Sequence, residues 1–180
     1  SPWQTLPAAV LRSAHSPWAP ANRSALAARQ GGDPIGDGER VLGGELRYFG
    51  GRWLPRPAWR QNPLTGWTSP LDHWTRLPPF AGSEQGDVKW IWEASRFDWV
   101  YTLARAWAAS GDERFRATIV DMLHEWRQQD PPNQGLNWLC GQEASFRLFA
   151  LVFAAGALDL GSPELWSTVA ALAERIVLES

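Results

Sequence analysis

Apolar positions repeat at helical spacing through the second half of the chain and lose that rhythm in the first. Trp92, Arg96, Trp99, Leu103 and Trp107 share one face, which predicts a helix from Asp87, a good N-cap, to about Ala109. Gly111 should end it and Asp112 should cap the next. In that second helix Phe115, Ile119, Met122, Leu123 and Trp126 form one stripe, with Arg116, Glu125 and Gln129 mostly opposite. Asp130-Pro131-Pro132 stops it, because a residue before proline is driven out of the helical region. The loop Asn133-Gln134-Gly135 leads into a third helix, about Trp138 to Leu158. It is apolar nearly all round through Phe146, Leu148, Phe149, Leu151, Val152 and Phe153, and so is expected to be buried on most sides. Ser162 with Pro163 starts a fourth helix reaching about Leu178.

Residues 1 to about 86 read differently. Pro55, Pro57, Pro63, Pro70, Pro78 and Pro79 interrupt every long helix there. Short helices are expected near Pro2–Arg12 and Asn22–Gln30. Glu45–Phe49 and Arg52–Leu54 are expected to pair as short strands around Gly50-Gly51. The remainder is an ordered, irregular wrapping segment anchored by Trp53, Trp59, Trp67, Trp74 and Phe80. Two regions result, 1–86 and 87–180, the second built of helical hairpins in a layered all-α architecture. No sequence repeat of solenoid length is evident.

Composition narrows the function. The chain has 180 residues and a net charge of −2, so no basic field advertises nucleic acid or an anionic membrane. No apolar run approaches the ~20 residues of a bilayer span. No leader with a basic start and an apolar run is visible, although Ser1 rather than Met begins the sequence, as in a processed or excised product. The single cysteine, Cys140, forms no internal disulfide. His15, His73 and His124 stand far apart, His124-Glu125 lacks the second histidine of a zincin helix, and no glycine-rich phosphate loop follows a strand. No metal or cofactor is expected. The outlier is tryptophan, with 13 copies. Thirteen indoles either fill the core or partly line a groove where their faces stack on sugar rings.

Two clusters concentrate polar chemistry. Gly135 to Arg147 places Asn137, Trp138, Gln142, Glu143 and Arg147 in a loop and the first turns of a helix, whose N-terminus suits an anion. Asn137 either contacts a ligand or only caps the helix. Glu143 and Arg147, four apart, can pair as an internal brace or act in catalysis. Asp87 to Arg96 brings Trp92, Glu93 and Arg96 within one turn. Lys89 and Arg96 either meet an anionic sugar or fix the helix to its neighbours. A pair of carboxylates across a cleft, Glu93 and Glu143, also leaves open a helical-toroid glycoside hydrolase.

At these residues the chain resembles the heparinase II/III-type polysaccharide lyase family. The likeness is carried by DVKWIWEASRFDWVYTLARAWAASGDERF, by WRQQDPPNQGLNWLCGQEASFRL, and more weakly by NPLTGW. It implies an incomplete (α/α) toroid preceded by the wrapping segment, followed in full-length relatives by a β-sandwich. It implies β-elimination on uronic-acid polysaccharides such as heparan sulfate or alginate, in a periplasmic or secreted setting. The family's Asn-His element and catalytic Tyr lie downstream of the stretch matching AALAERIVLES, so no catalytic base or acid is expected in this chain. Asn137, Trp138, Gln142, Glu143, Arg147, Trp92, Glu93 and Arg96 are expected to bind substrate or support its binding. The implied partners are an acidic polysaccharide and the rest of the toroid with its β-sandwich. The alternative is an acidic-glycan-binding module without chemistry.

Overall fold

The computed structural model describes residues 32–78 and 82–178, together with Trp3 and Leu26. Apart from those two residues, the short helices expected near Pro2–Arg12 and Asn22–Gln30 lie outside the described residues, as do His15 and the Phe80 anchor. The described chain is mostly helical with one small sheet. In order it forms α1 (Pro34–Leu42), β1 (Glu45–Tyr48), β2 (Arg52–Pro55), a 3-10 turn (Trp74–Arg76) and α2 (Gly82–Gln85). There follow α3 (Lys89–Ser95), α4 (Asp98–Ser110), α5 (Glu113–Gln129), a 3-10 turn (Leu136–Trp138), α6 (Gly141–Ala157) and α7 (Pro163–Val177). No described helix is long and apolar enough to cross a membrane.

The expected hairpin forms, with Tyr48 opposite Arg52. Helix α1 has no counterpart among the expected elements. Its signal was Asp33-Pro34: the Asp33 carboxylate accepts the Gly36 N–H at 2.9 Å, and Pro34 presets the first helical φ. Two glycines inside it weaken its intrinsic preference, and packing overrides them. A Cβ on Gly38 would sit 2.4 Å from Ala106 Cβ and 2.7 Å from the Phe115 ring, so glycine lets α1 lie directly on the core helices.

The single helix expected from Asp87 to about Ala109 is two helices. Asp87 lies one residue ahead of the N-cap position, Val88, and accepts the Lys89 N–H at 2.9 Å. Phe97 then takes φ 64° and breaks the run before Asp98. A left-handed step costs a residue with a Cβ about 1 kcal/mol. Burial of the ring outweighs that: Phe97 is fully buried and meets Trp126 edge-on at 5.0 Å. Downstream, Gly111 ends α4 in the left-handed region and Asp112 caps α5. The buried face of α5 is the stripe Phe115, Ile119, Met122, Leu123 and Trp126.

The third long helix departs from expectation in two ways. It starts at Gly141, because a separate 3-10 turn holds Leu136–Trp138. It is also not buried all round, although most of its positions are buried or half-buried as expected. Glu143, Ala144, Arg147, Leu151 and Ala154 face inward, while Gln142, Phe146 (39% exposed) and Phe149 (61% exposed) form an outward stripe. Helix α7, capped by Ser162, packs along α6 and leaves Val177 and Leu178 exposed.

One core runs through both halves. Val41, Leu46, Tyr48 and Trp59 from the wrapping segment join Phe97, Trp99, Leu103, Trp126, Trp138 and Leu151. At its centre the Trp126 and Trp138 rings lie 5.9 Å apart, and Trp3 lies 6.1 Å from each. Trp59, Trp99, Trp126 and Trp138 are buried, and every other described tryptophan is half-buried. The indoles of the described chain mainly fill and edge the core.

Candidate functional site

The two polar clusters, at Asp87 to Arg96 and Gly135 to Arg147, meet in space, joined by two arginines. Arg96, just past the end of α3, sits between two carboxylates. Its Nε and Nη2 donate to Glu143 on α6 at 2.8 and 2.6 Å, and its Nη1 donates to Glu93. The Glu143 hydrogen bonds raise the Arg96 pKa further, against the opposing effect of its partial burial. Arg147, on α6 and fully buried, donates Nε to Ser95 O at 2.6 Å and Nη1 to Asn137 O at 2.6 Å. The expected pairing of Glu143 with Arg147 therefore does not form. Arg96 takes Glu143, and Arg147 turns to backbone carbonyls that would otherwise be orphaned in the interior.

Asn137 and Trp138 do not face a groove. Both are 0% exposed. The Asn137 amide donates to Trp59 O at 3.1 Å and to Asp130 Oδ1 at 2.9 Å, while the Trp138 indole N–H reaches Asp130 O at 3.4 Å. Their expected place as ligand contacts is corrected: the loop before α6 closes over the core because its polar groups satisfy the end of α5. Trp92 is likewise turned inward, its indole N–H donating to Leu136 O at 2.8 Å. NPLTGW has a comparable task. Buried Asn62 donates to Gln85 O at 2.9 Å and accepts the Leu64 N–H, tying the wrapping segment to the approach of α3.

Among the predicted site residues, Gln142 is exposed, and Trp92, Glu93 and Arg96 are partly exposed. Phe146 lies beside them, its ring 5.4 Å from the Arg96 guanidinium carbon. Sequence reasoning counted Phe146 as core. Its position four residues after Gln142 was the available signal that both share an outward face. Glu93 and Glu143 are both held by Arg96. Tyr48 is fully buried, and burial pushes its hydroxyl pKa up, with Glu93 adding to the effect. Burial raises Tyr101 as well. Cys140 is half-buried, and no group of three metal-ligating side chains occurs among the described residues.

Asp130 was not singled out as a site residue, yet among the described residues it is the carboxyl that burial raises most. Burial raises its pKa from 3.8 to about 7, opposed by the Asn137 hydrogen bond and by the charges of Arg147 and Arg60. Burial pulls Arg147 down to about 10, still a cation at neutral pH. An acid whose folded pKa lies above its unfolded value loses stability as the pH rises, because the folded state keeps a proton that the unfolded chain has released. The loss begins near pH 4, proceeds at up to about 1.4 kcal/mol per pH unit, and levels off above pH 7. Asp130→Asn removes this dependence. Thermal melts at pH 5 and pH 8 should show the variant gaining on the wild type at the higher pH. A difference between the two proteins that is the same at both pH values would contradict this.

No protein family, curated protein or solved structure matches this chain.

Proposed function

We propose that this chain is the N-terminal part of a polysaccharide lyase. It acts within the larger protein on uronic-acid-containing, and in some cases sulfated, polysaccharides by β-elimination. Its helical hairpins form part of an incomplete (α/α) toroid, partnered by the rest of that toroid and a β-sandwich, in a periplasmic or secreted setting. One observation carries this reading. The residue types that make up the family likeness are the ones that bond to each other in space: Trp92 to Leu136, Arg96 to Glu143, and Arg147 to Ser95 and Asn137. A motif of unrelated residue types that closes on itself in this way behaves as one built unit.

In β-elimination a base removes the proton beside the uronate carboxylate, the bond to the leaving oxygen breaks, and an acid protonates that oxygen. A positive or hydrogen-bonding group must meanwhile hold the carboxylate, so that charge spreading onto it is stabilised. The described residues supply contact and support for this chemistry: Arg96, Gln142 and Phe146 on the surface, with Glu93 and Glu143 orienting the guanidinium. Asn137, Trp138, Arg147 and Trp92 support that surface from within. The base and acid belong to residues outside these 180.

The test compares this 180-residue chain with the longer protein that contains it, on alginate and heparan sulfate, following the ultraviolet absorbance of the unsaturated product. Product from the longer protein alone is expected. Turnover by the 180 residues themselves would place the base and acid here and overturn the proposal. The second reading is an acidic-glycan-binding module, which needs the surface formed by Arg96, Gln142 and Phe146 but no base or acid. Binding by both proteins with product from neither would select it.

A further inference from the structure

The tip of the β-hairpin carries an aromatic ring in an unusual place. Gly51 N–H closes onto Tyr48 O at 3.1 Å, with Phe49 (φ 49°) and Gly50 (φ 75°) both left-handed, as in a type I′ turn. Asn or Gly occupies the Phe49 position of such a turn without strain, whereas an aromatic residue does not. The ring is not placed there to fill the core, for Phe49 is 51% exposed. It stands edge-on to half-buried Trp90 at 4.7 Å and 88°. Arg52, on the opposite arm of the hairpin, holds its guanidinium carbon 5.7 Å from the Trp90 ring. Arg52 is exposed and makes no ion pair among the described residues, unlike Arg40, Arg47 and Arg96, which all have carboxylate partners.

The tip is also tied to the candidate site. Glu93 Oε1 accepts the Phe49 backbone N–H at 2.8 Å, and the same carboxylate receives Arg96. Phe49, Glu93, Arg96 and Phe146 thus form a linked series from the hairpin to the outward stripe of α6. A strained exposed phenyl, a half-buried indole and an unpaired guanidinium have a common complement. The electron-rich ring faces meet the C–H faces of a pyranose, and the guanidinium meets an acidic substituent on the same sugar.

We propose that Phe49, Trp90 and Arg52 form a subsite for one acidic sugar residue of a polysaccharide, with the uronate carboxylate on Arg52 and the sugar face against the rings. This rests on the acidic-glycan reading above and assigns it a second contact area, at the hairpin rather than on α6.

The test measures binding of an alginate tetrasaccharide and a heparan sulfate tetrasaccharide to the 180-residue chain by calorimetry, with cellotetraose as the neutral control. The variants are Phe49→Asn, which suits the left-handed turn and should fold at least as well as the wild type, and Arg52→Ala, an exposed truncation. Each should weaken binding of an acidic tetrasaccharide roughly tenfold, the scale of one significant contact. The Arg52→Ala variant should also lose much of the salt dependence of binding. Wild-type binding that neither variant changes overturns the subsite and leaves the acidic-glycan reading standing. No binding of either acidic tetrasaccharide by the wild type overturns both. A wild type that self-associates, with Phe49→Asn monomeric and binding unchanged, makes the patch a contact between copies and also overturns the subsite.

Discussion

Replacing Arg147 with Met will cost about 3–5 kcal/mol of folding stability. Met fills much of the volume of the aliphatic stem, so the loss reports the guanidinium rather than a cavity. Two effects add. Ser95 O and Asn137 O each lose a donor at 2.6 Å in a place water does not readily reach, at about 1–3 kcal/mol per orphaned group. Asp130 loses a cation that favours its ionised form, so its buried carboxyl should rise above its value of about 7. Arg147→Lys should recover only part of the loss. A single ammonium cannot span two carbonyls on different segments as a planar fork does. Urea denaturation with linear extrapolation measures both variants. A loss below about 1 kcal/mol for Arg147→Met would show that the brace is incidental to the fold.

Arg96→Ala should cost about 3 kcal/mol, mostly because it abandons Glu143, only 3% exposed, without its partner. The pair sits at the edge of the core, and partial solvent access on the Arg96 side keeps the figure at the low end. Adding Glu143→Gln removes the stranded charge, so the double variant should be more stable than Arg96→Ala alone. The cycle separates two roles for Arg96. A stability loss restored by Glu143→Gln marks a brace. Unchanged stability with lost binding of acidic oligosaccharides marks a residue that serves ligand alone.

Much of the helical half was legible in the chain itself. The stripe of α5 and the caps Asp112 and Ser162 each depend on neighbours three or four residues away, and the structure repeats them. Gly111 ends α4 for an equally local reason, its freedom in the left-handed region. The break at Phe97 was not legible. Nothing local favours a left-handed phenylalanine, and its stability comes from Trp126, some thirty positions away in the chain. Helix α1 was hidden for a similar reason: Gly38 looks like a breaker until α4 and α5 are packed against it.

The candidate site divides the same way. Sequence brought together the residue types Asn137, Trp138, Gln142, Glu143 and Arg147, and separately Trp92, Glu93 and Arg96. It could not say which of them faced water. The direction of each side chain depends on where the next layer lies, and that is a long-range fact. The structure turned Asn137 and Trp138 inward onto Asp130 and Trp59, exchanged the local Glu143–Arg147 pair for a distant one with Arg96, and left Gln142 and Phe146 outside. Periodicity and capping are written within a few residues of chain. The choice of partner for a buried charge is made by whichever carbonyl or carboxylate folding brings within reach.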